Sequence, residues 1–187
     1  MEQRLKDAAL ETPDPERAFN NLRSFCETNP QSGDELESAI RPVSLLFSIS
    51  QFLANFASSH PEVLFDALRR VDHPLDAEAI HATLKRAMEE ASLQSIETLM
   101  NIVRTFKKES LMLITLRDIL GKADIVESMD ELSILADMIV QESLRVVNSG
   151  MQETYGEPEQ DAFSVIAVGK LGSGELNFSS DIDLLYL

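Results

Sequence analysis

From the N-terminus to about Gly150, apolar residues recur at helical spacing, and no segment alternates in the way a half-buried strand does. That pattern confines most of the chain to helices, and the punctuation between them agrees. Asp14 followed by Pro15 supplies an N-cap side chain and then a proline at the first helical position, which predicts a helix to Glu27 that stops before Asn29-Pro30. A second start lies near Gly33-Asp34. The run from Pro42 to Ala57 predicts one helix, with Leu45, Phe47 or Ile49, Phe52, Leu53 and Phe56 on a broad inner face. Further helices are predicted from Pro61, carrying Val63, Leu64 and Leu68, and from Asp76, carrying Ile80, Leu84 and Met88. A long helical pattern from about Ser92 to Leu120 meets Gly121, a residue suited to the C′ position. Ser128 with Glu131 three residues later reads as a capping box opening one more helix through Leu132, Leu135, Ala136, Ile139 and Val146. No solenoid period recurs, so short turns joining these helices predict a bundle.

The character changes after Gly150. Gln152 to Asp161 is polar and contains Gly156 and Pro158, which suits a linker or exposed loop. Phe163 to Val168 is a compact, β-branched apolar run of the kind that forms a buried strand, and the chain closes on a second strand-like run, Asp181 to Leu187. The expected fold is therefore mainly α: a helical region over 1–155, then the beginning of an α/β domain with part of a mixed sheet over 156–187.

Charge narrows the function. The formal net charge is −16, and no Lys/Arg cluster exceeds a pair, whereas nucleic-acid affinity comes mostly from cations neutralising phosphates. Nucleic acid is not an expected partner. No apolar run reaches bilayer-spanning length, and the N-terminus lacks the apolar core of a secretory signal, so a cytoplasmic protein without membrane association is expected. Cys26, the single cysteine, falls in an amphipathic helical pattern and reads as a packed thiol.

The chemistry concentrates in the last nineteen residues, GKLGSGELNFSSDIDLLYL. On a strand, Asp181 and Asp183 point to one side while Ile182 and Leu184 point to the other. Two carboxylates on one face repel unless a cation lies between them, and Mg²⁺ suits such a pair because it accepts one or two carboxylates alongside waters and substrate phosphates. Gly172 and Gly174 flank Ser173, so backbone N–H groups and the hydroxyl can approach a phosphate. The order of residues is neither a Walker loop nor a dinucleotide fingerprint. Lys170 could face phosphate or solvent, and Glu175 and Asn177 could touch substrate or only shape the turn.

Leu171-Gly172-Ser173, a spacer, then Asp181-Ile182-Asp183-Leu184 resembles the polymerase-β-type nucleotidyltransferases. The longer string, Gly169-Lys170-Leu171-Gly172 and then Gly174 through Leu184, resembles the bacterial glutamine synthetase adenylyltransferase/adenylyl-removing family, with Ser173 standing where that family commonly has glycine. Arg104 to Glu109, Leu113-Ile114 and Leu116 to Gly121 are similar to the family's helices ahead of the site, as are Ser50 and His60-Pro61-Glu62 to its opening helices. The resemblance extends over Pro42 to Leu187. It implies a Mg²⁺-dependent site with Asp181 and Asp183 as catalytic metal ligands and with Gly172, Ser173 and Gly174 at phosphate or nucleotide. Its substrates would be ATP or ADP and inorganic phosphate. Its partners would be glutamine synthetase, modified on a tyrosine, and the PII signal protein, placing the chain in the control of nitrogen metabolism. Asn177 to Ser180 ahead of the aspartates resembles the adenylyl-removing half, which releases AMP from that tyrosine as ADP by phosphorolysis, rather than the half that adds AMP from ATP.

The superfamily places a third carboxylate on a later strand, and no Asp or Glu follows Asp183, so the expectation is a fragment with an incomplete and inactive or weakly active site. The alternatives are a PII uridylyltransferase and a non-catalytic helical interaction module. His60, His73 and His81 share no metal-ligand spacing and read as structural. Arg104, Lys107, Lys108 and Arg117 read as a solvated helical face.

Overall fold

A computed structural model describes residues 2–91, 95–157 and 163–187. The chain is mainly α-helical and divides into two compact units, one of residues up to Pro74 with Leu111–Ala123, the other of Leu75–Ser110 with Asp124–Leu187.

The first unit contains α1 (Glu2–Leu10), α2 (Pro15–Thr28), a 3₁₀ turn (Pro30–Ser32), α3 (Gly33–Ser38), α4 (Ile40–Ile49), α5 (Gln51–Ser59) and α6 (Pro61–Arg70). The C-terminal part of α8 (Ile96–Ile119) also belongs to it. Asp14 caps α2 as predicted, accepting the Arg17 N–H at 3.0 Å. Leu22 and Phe25 on α2 are buried with Leu46 and Phe47 on α4, and Phe25 meets Phe47 and Phe65 at ring centroid distances of 5.8 and 6.2 Å. Each such fully buried side chain contributes about 1.5–3 kcal/mol.

The single helix predicted over Pro42–Ala57 is two helices. Ser50 takes an extended conformation and its hydroxyl accepts the Leu53 N–H at 3.2 Å, so it caps α5 and interrupts the helical ladder. The break re-phases the apolar face: Leu53 and Phe56 are buried, Leu45 is half-buried, and Ile49 and Phe52 are exposed. Arg117 also departs from expectation. It is buried rather than solvated, its guanidinium donating to the Val71 carbonyl at 3.1 Å.

The second unit contains α7 (Ala77–Glu90), the N-terminal part of α8, α9 (Ile125–Tyr155), β1 (Val165–Val168), the single turn α10 (Gly169–Gly172) and β2 (Asp183–Tyr186). Asp76 caps α7 and Gly121 follows α8 with φ of 65°, both as expected; Ser92, the predicted start of the long helix, lies outside the described residues. The start of α9 is a correction. Asp124 is the N-cap, accepting the Val126 and Glu127 N–H groups, and the Glu127 carboxylate returns to the Asp124 N–H at 2.9 Å. The Ser128/Glu131 pair lies one turn inside, where both residues are buried and the Glu131 carboxylate accepts the Leu75 N–H at 2.9 Å. The helix also continues through Gln152 to Tyr155, past the start of the predicted linker, and ends at Gly156 with φ of 83°; Pro158 falls outside the described residues.

The mixed sheet expected from the sequence is present as one antiparallel pair, β1 against β2, with Val165 opposite Tyr186 and Val168 opposite Asp183. Ser164 and Leu187 extend it by exchanging backbone bonds of 2.8 and 3.0 Å. The predicted burial of the first strand is not found: no residue of β1 is fully buried and Ile166 is exposed.

Candidate active site

β1 delivers the chain into the glycine-rich turn and β2 carries it away. Val168 is extended, and Gly169 then takes φ of 60°, a left-handed value that glycine adopts freely. A Cβ on Gly169 would lie 2.9 Å from Asp183 Oδ2, so the carboxylate of β2 packs directly over the bare α-carbon. A Cβ on Gly172 would lie 2.6 Å from the Ala167 carbonyl, so the single turn α10 closes back onto β1 only with glycine there.

The turn is tied by its own backbone. The N–H groups of Ser173, Gly174 and Glu175 bond to the carbonyls of Gly169, Leu171 and Lys170 at 3.2, 3.0 and 2.8 Å. The Ser173 hydroxyl donates to the Lys170 carbonyl at 3.1 Å. Gly174 has φ of 71°, while Lys170 and Glu175 are exposed.

Asn177 to Ser180 forms a second closed turn. The Asn177 side-chain carbonyl accepts the Ser179 N–H at 3.1 Å and the Ser180 hydroxyl at 2.8 Å, while the Ser180 N–H reaches the Asn177 carbonyl at 3.0 Å. Asn177 therefore shapes the loop, an Asx-type role. Asp181 follows outside any regular element, and only Asp183 lies within β2, so the pair does not share a regular strand as the sequence suggested. Both aspartates are exposed, and among the described residues no Lys, Arg or His pairs with either carboxylate. No group of three or more His, Cys, Asp or Glu side chains that could hold a metal occurs among the described residues. The donors near β2 are thus two hard, unneutralised carboxylates, one of them seated against Gly169.

The loop rests on α9. Leu171 and Leu176 are its two buried side chains, and the Leu176 N–H donates to the Ser133 hydroxyl at 3.2 Å; that hydroxyl donates in turn to the Met129 carbonyl at 2.8 Å. The sequence does not single out Ser133, because a lone serine at a buried helical position has no distinguishing neighbours.

Elsewhere in this unit α7 and α9 are joined by a cluster of polar side chains. His81 Nε2 lies 2.8 Å from Glu142 Oε1, Arg145 Nε donates to Glu142 Oε2 at 2.7 Å, and an Arg145 guanidinium nitrogen lies 3.5 Å from Glu89. Burial by itself pushes the Glu142 carboxyl up, but the hydrogen bonds from Arg145 and His81 outweigh it and hold the group below the usual carboxylate range. His81 is thus a structural ligand of a carboxylate, as its sequence context suggested.

A family model described as glutamate-ammonia ligase adenylyltransferase matches residues 41–187, which include the whole site segment. The chain belongs to this family. A bifunctional glutamine synthetase adenylyltransferase/adenylyl-removing enzyme of Psychromonas ingrahamii is 32% identical, the match covering 97% of this chain and 19% of the relative. That of Aromatoleum aromaticum is 33% identical, over 97% of this chain and 19% of the relative. The enzyme of Hahella chejuensis is 29% identical over 87% of this chain and 17% of its own length. The chain thus spans about a fifth of the length of these adenylyltransferases. No helix is long and apolar enough to cross a membrane among the described residues.

Proposed function

We propose that this chain is the helical lead-in and the opening of a nucleotidyltransferase site that removes AMP from a tyrosine of glutamine synthetase by phosphorolysis. The carrying observation is the seating of the Asp183 carboxylate over Gly169, on a loop braced at both of its turns, with Asp181 two residues ahead and neither charge neutralised by a cation of the described residues. The reaction balances simply. An oxygen of inorganic phosphate bonds to the phosphorus of the AMP group, the bond from that phosphorus to the tyrosine oxygen breaks, and the oxygen takes a proton to restore the phenol. The product is ADP.

Asp181 and Asp183 would hold Mg²⁺, which when bound supplies charge neutralisation on the phosphoryl oxygens. The protein's own part is orientation. Gly169 leaves room for the Asp183 carboxylate, and the bonds within Gly169–Glu175 and Asn177–Ser180 hold the loop in one conformation. Gly172, Ser173 and Gly174 would face the phosphate-bearing substrate. The amides of Ser173 and Gly174 are engaged within the turn, so contact there would rely on the open space over Gly174 and on the Ser173 hydroxyl, whose oxygen retains acceptor capacity. The acidic surface suits a protein substrate better than nucleic acid, and PII and a cytoplasmic setting in nitrogen control are parts of the same reading.

The direction of the reaction is the test. Glutamine synthetase carrying labelled AMP is incubated with the family-length enzyme containing this chain, its second nucleotidyltransferase site disabled. Phosphate-dependent appearance of labelled ADP is expected; label released only as AMP, or no phosphate dependence, contradicts the proposal.

A further inference from the structure

The loop that carries the candidate metal ligands has one polar tie to the helical scaffold of its unit among the hydrogen bonds described, and that tie is not in the motif. We propose that Ser133 of α9 is a positioning residue for Asp181 and Asp183, an inference that rests on the metal site proposed above. The hydroxyl is almost wholly buried at 5% residue exposure, and its two bonds have fixed directions: it donates to the Met129 carbonyl at 2.8 Å and accepts the Leu176 N–H at 3.2 Å. Because the first bond is made to the preceding turn of α9, the hydroxyl cannot rotate freely, and the acceptor lone pair facing Leu176 is held in place.

The displacement of this anchor would be felt at the aspartates. Leu176 immediately precedes the turn closed by Asn177 and Ser180, in which four hydrogen bonds leave little internal freedom. Asp181 is the next residue after that turn. On the other flank Leu171 is buried and the Glu175 N–H is tied to the Lys170 carbonyl at 2.8 Å, so the loop moves with Leu176 rather than around it. Leu176 is also a buried amide, so loss of the serine oxygen leaves a donor without an acceptor instead of exchanging it for water.

The test uses the whole chain by backbone-amide NMR, with Mn²⁺ as a paramagnetic probe, in the wild type, Ser133→Ala and Ser133→Thr. In the wild type the Leu176 amide should exchange slowly, as a buried bonded amide does; exchange as fast as that of exposed loop amides would overturn the anchoring without any variant. Ser133→Ala should speed Leu176 exchange about tenfold, with Leu132 and Leu135 on α9 still protected. It should weaken Mn²⁺-induced broadening at the Asp181 and Asp183 amides to an apparent affinity about tenfold lower. Ser133→Thr, which keeps the hydroxyl, should restore both. Unchanged Mn²⁺ affinity in Ser133→Ala, or failure of threonine to restore it, would overturn the positioning role. Absence of broadening at the two aspartates in the wild type would instead defeat the metal-site reading on which the proposal rests, while Leu176 exchange would still decide the anchoring.

Discussion

At Gly169 a missing atom does the positioning. The residue combines φ of 60° with a contact in which any Cβ would come within 2.9 Å of the Asp183 carboxylate. Gly169→Ala therefore meets two obstacles, backbone strain of about 1–2 kcal/mol and displacement of the aspartate. We expect urea denaturation to show that loss of stability and Mn²⁺ titration to show weaker binding, whereas Gly33→Ala, where a Cβ would meet open space at φ of −58°, should leave Mn²⁺ binding unchanged. The motif glycines were legible in the sequence as a turn. Which carboxylate one of them faces was not, because that contact joins two residues across a strand pair whose register only the fold sets.

Helices and their ends were the most legible part of the chain, and the misassigned ends share a cause. Asp14 and Asp76 act as N-caps where the sequence placed them. Ser50 and Asp124 also cap, but Ser50 lies inside a continuous apolar run, and Asp124 stands four residues before a more familiar Ser128/Glu131 signature. Local capping patterns compete, and burial decides between them: Glu131 serves the Leu75 N–H, leaving Glu127 to complete the box with Asp124. Asp124→Ala should accordingly cost about 1 kcal/mol in thermal or urea unfolding and fray the first turn of α9 in amide exchange. The candidate site was legible as a glycine turn followed by two aspartates but not as a supported loop. Its brace, Ser133, is far away in sequence, and no short-range periodicity marks it.

Across the whole molecule each compact unit is held by its own interior, and the second also by the His81–Glu142–Arg145–Glu89 group linking α7 and α9. Because the folded Glu142 carboxyl titrates below its unfolded value, its contribution is present above the unfolded pKa and lost as pH falls through the folded one. Stability measured from neutral pH into the acid range should fall more steeply in the wild type than in Glu142→Gln. Glu142→Ala should lose about 3 kcal/mol at neutral pH, since Arg145 keeps its charge without its principal partner. In the proposed adenylyl removal, the chemistry of the whole enzyme depends on the carboxylates of Asp181 and Asp183. The most direct measurement is single-turnover ADP release from adenylylated glutamine synthetase by the family-length enzyme and its Asp181→Asn and Asp183→Asn variants, with unfolding midpoints measured alongside. Each variant should lose about 10³-fold or more in rate while its midpoint stays at the wild-type value. Wild-type turnover in either folded variant would contradict that dependence.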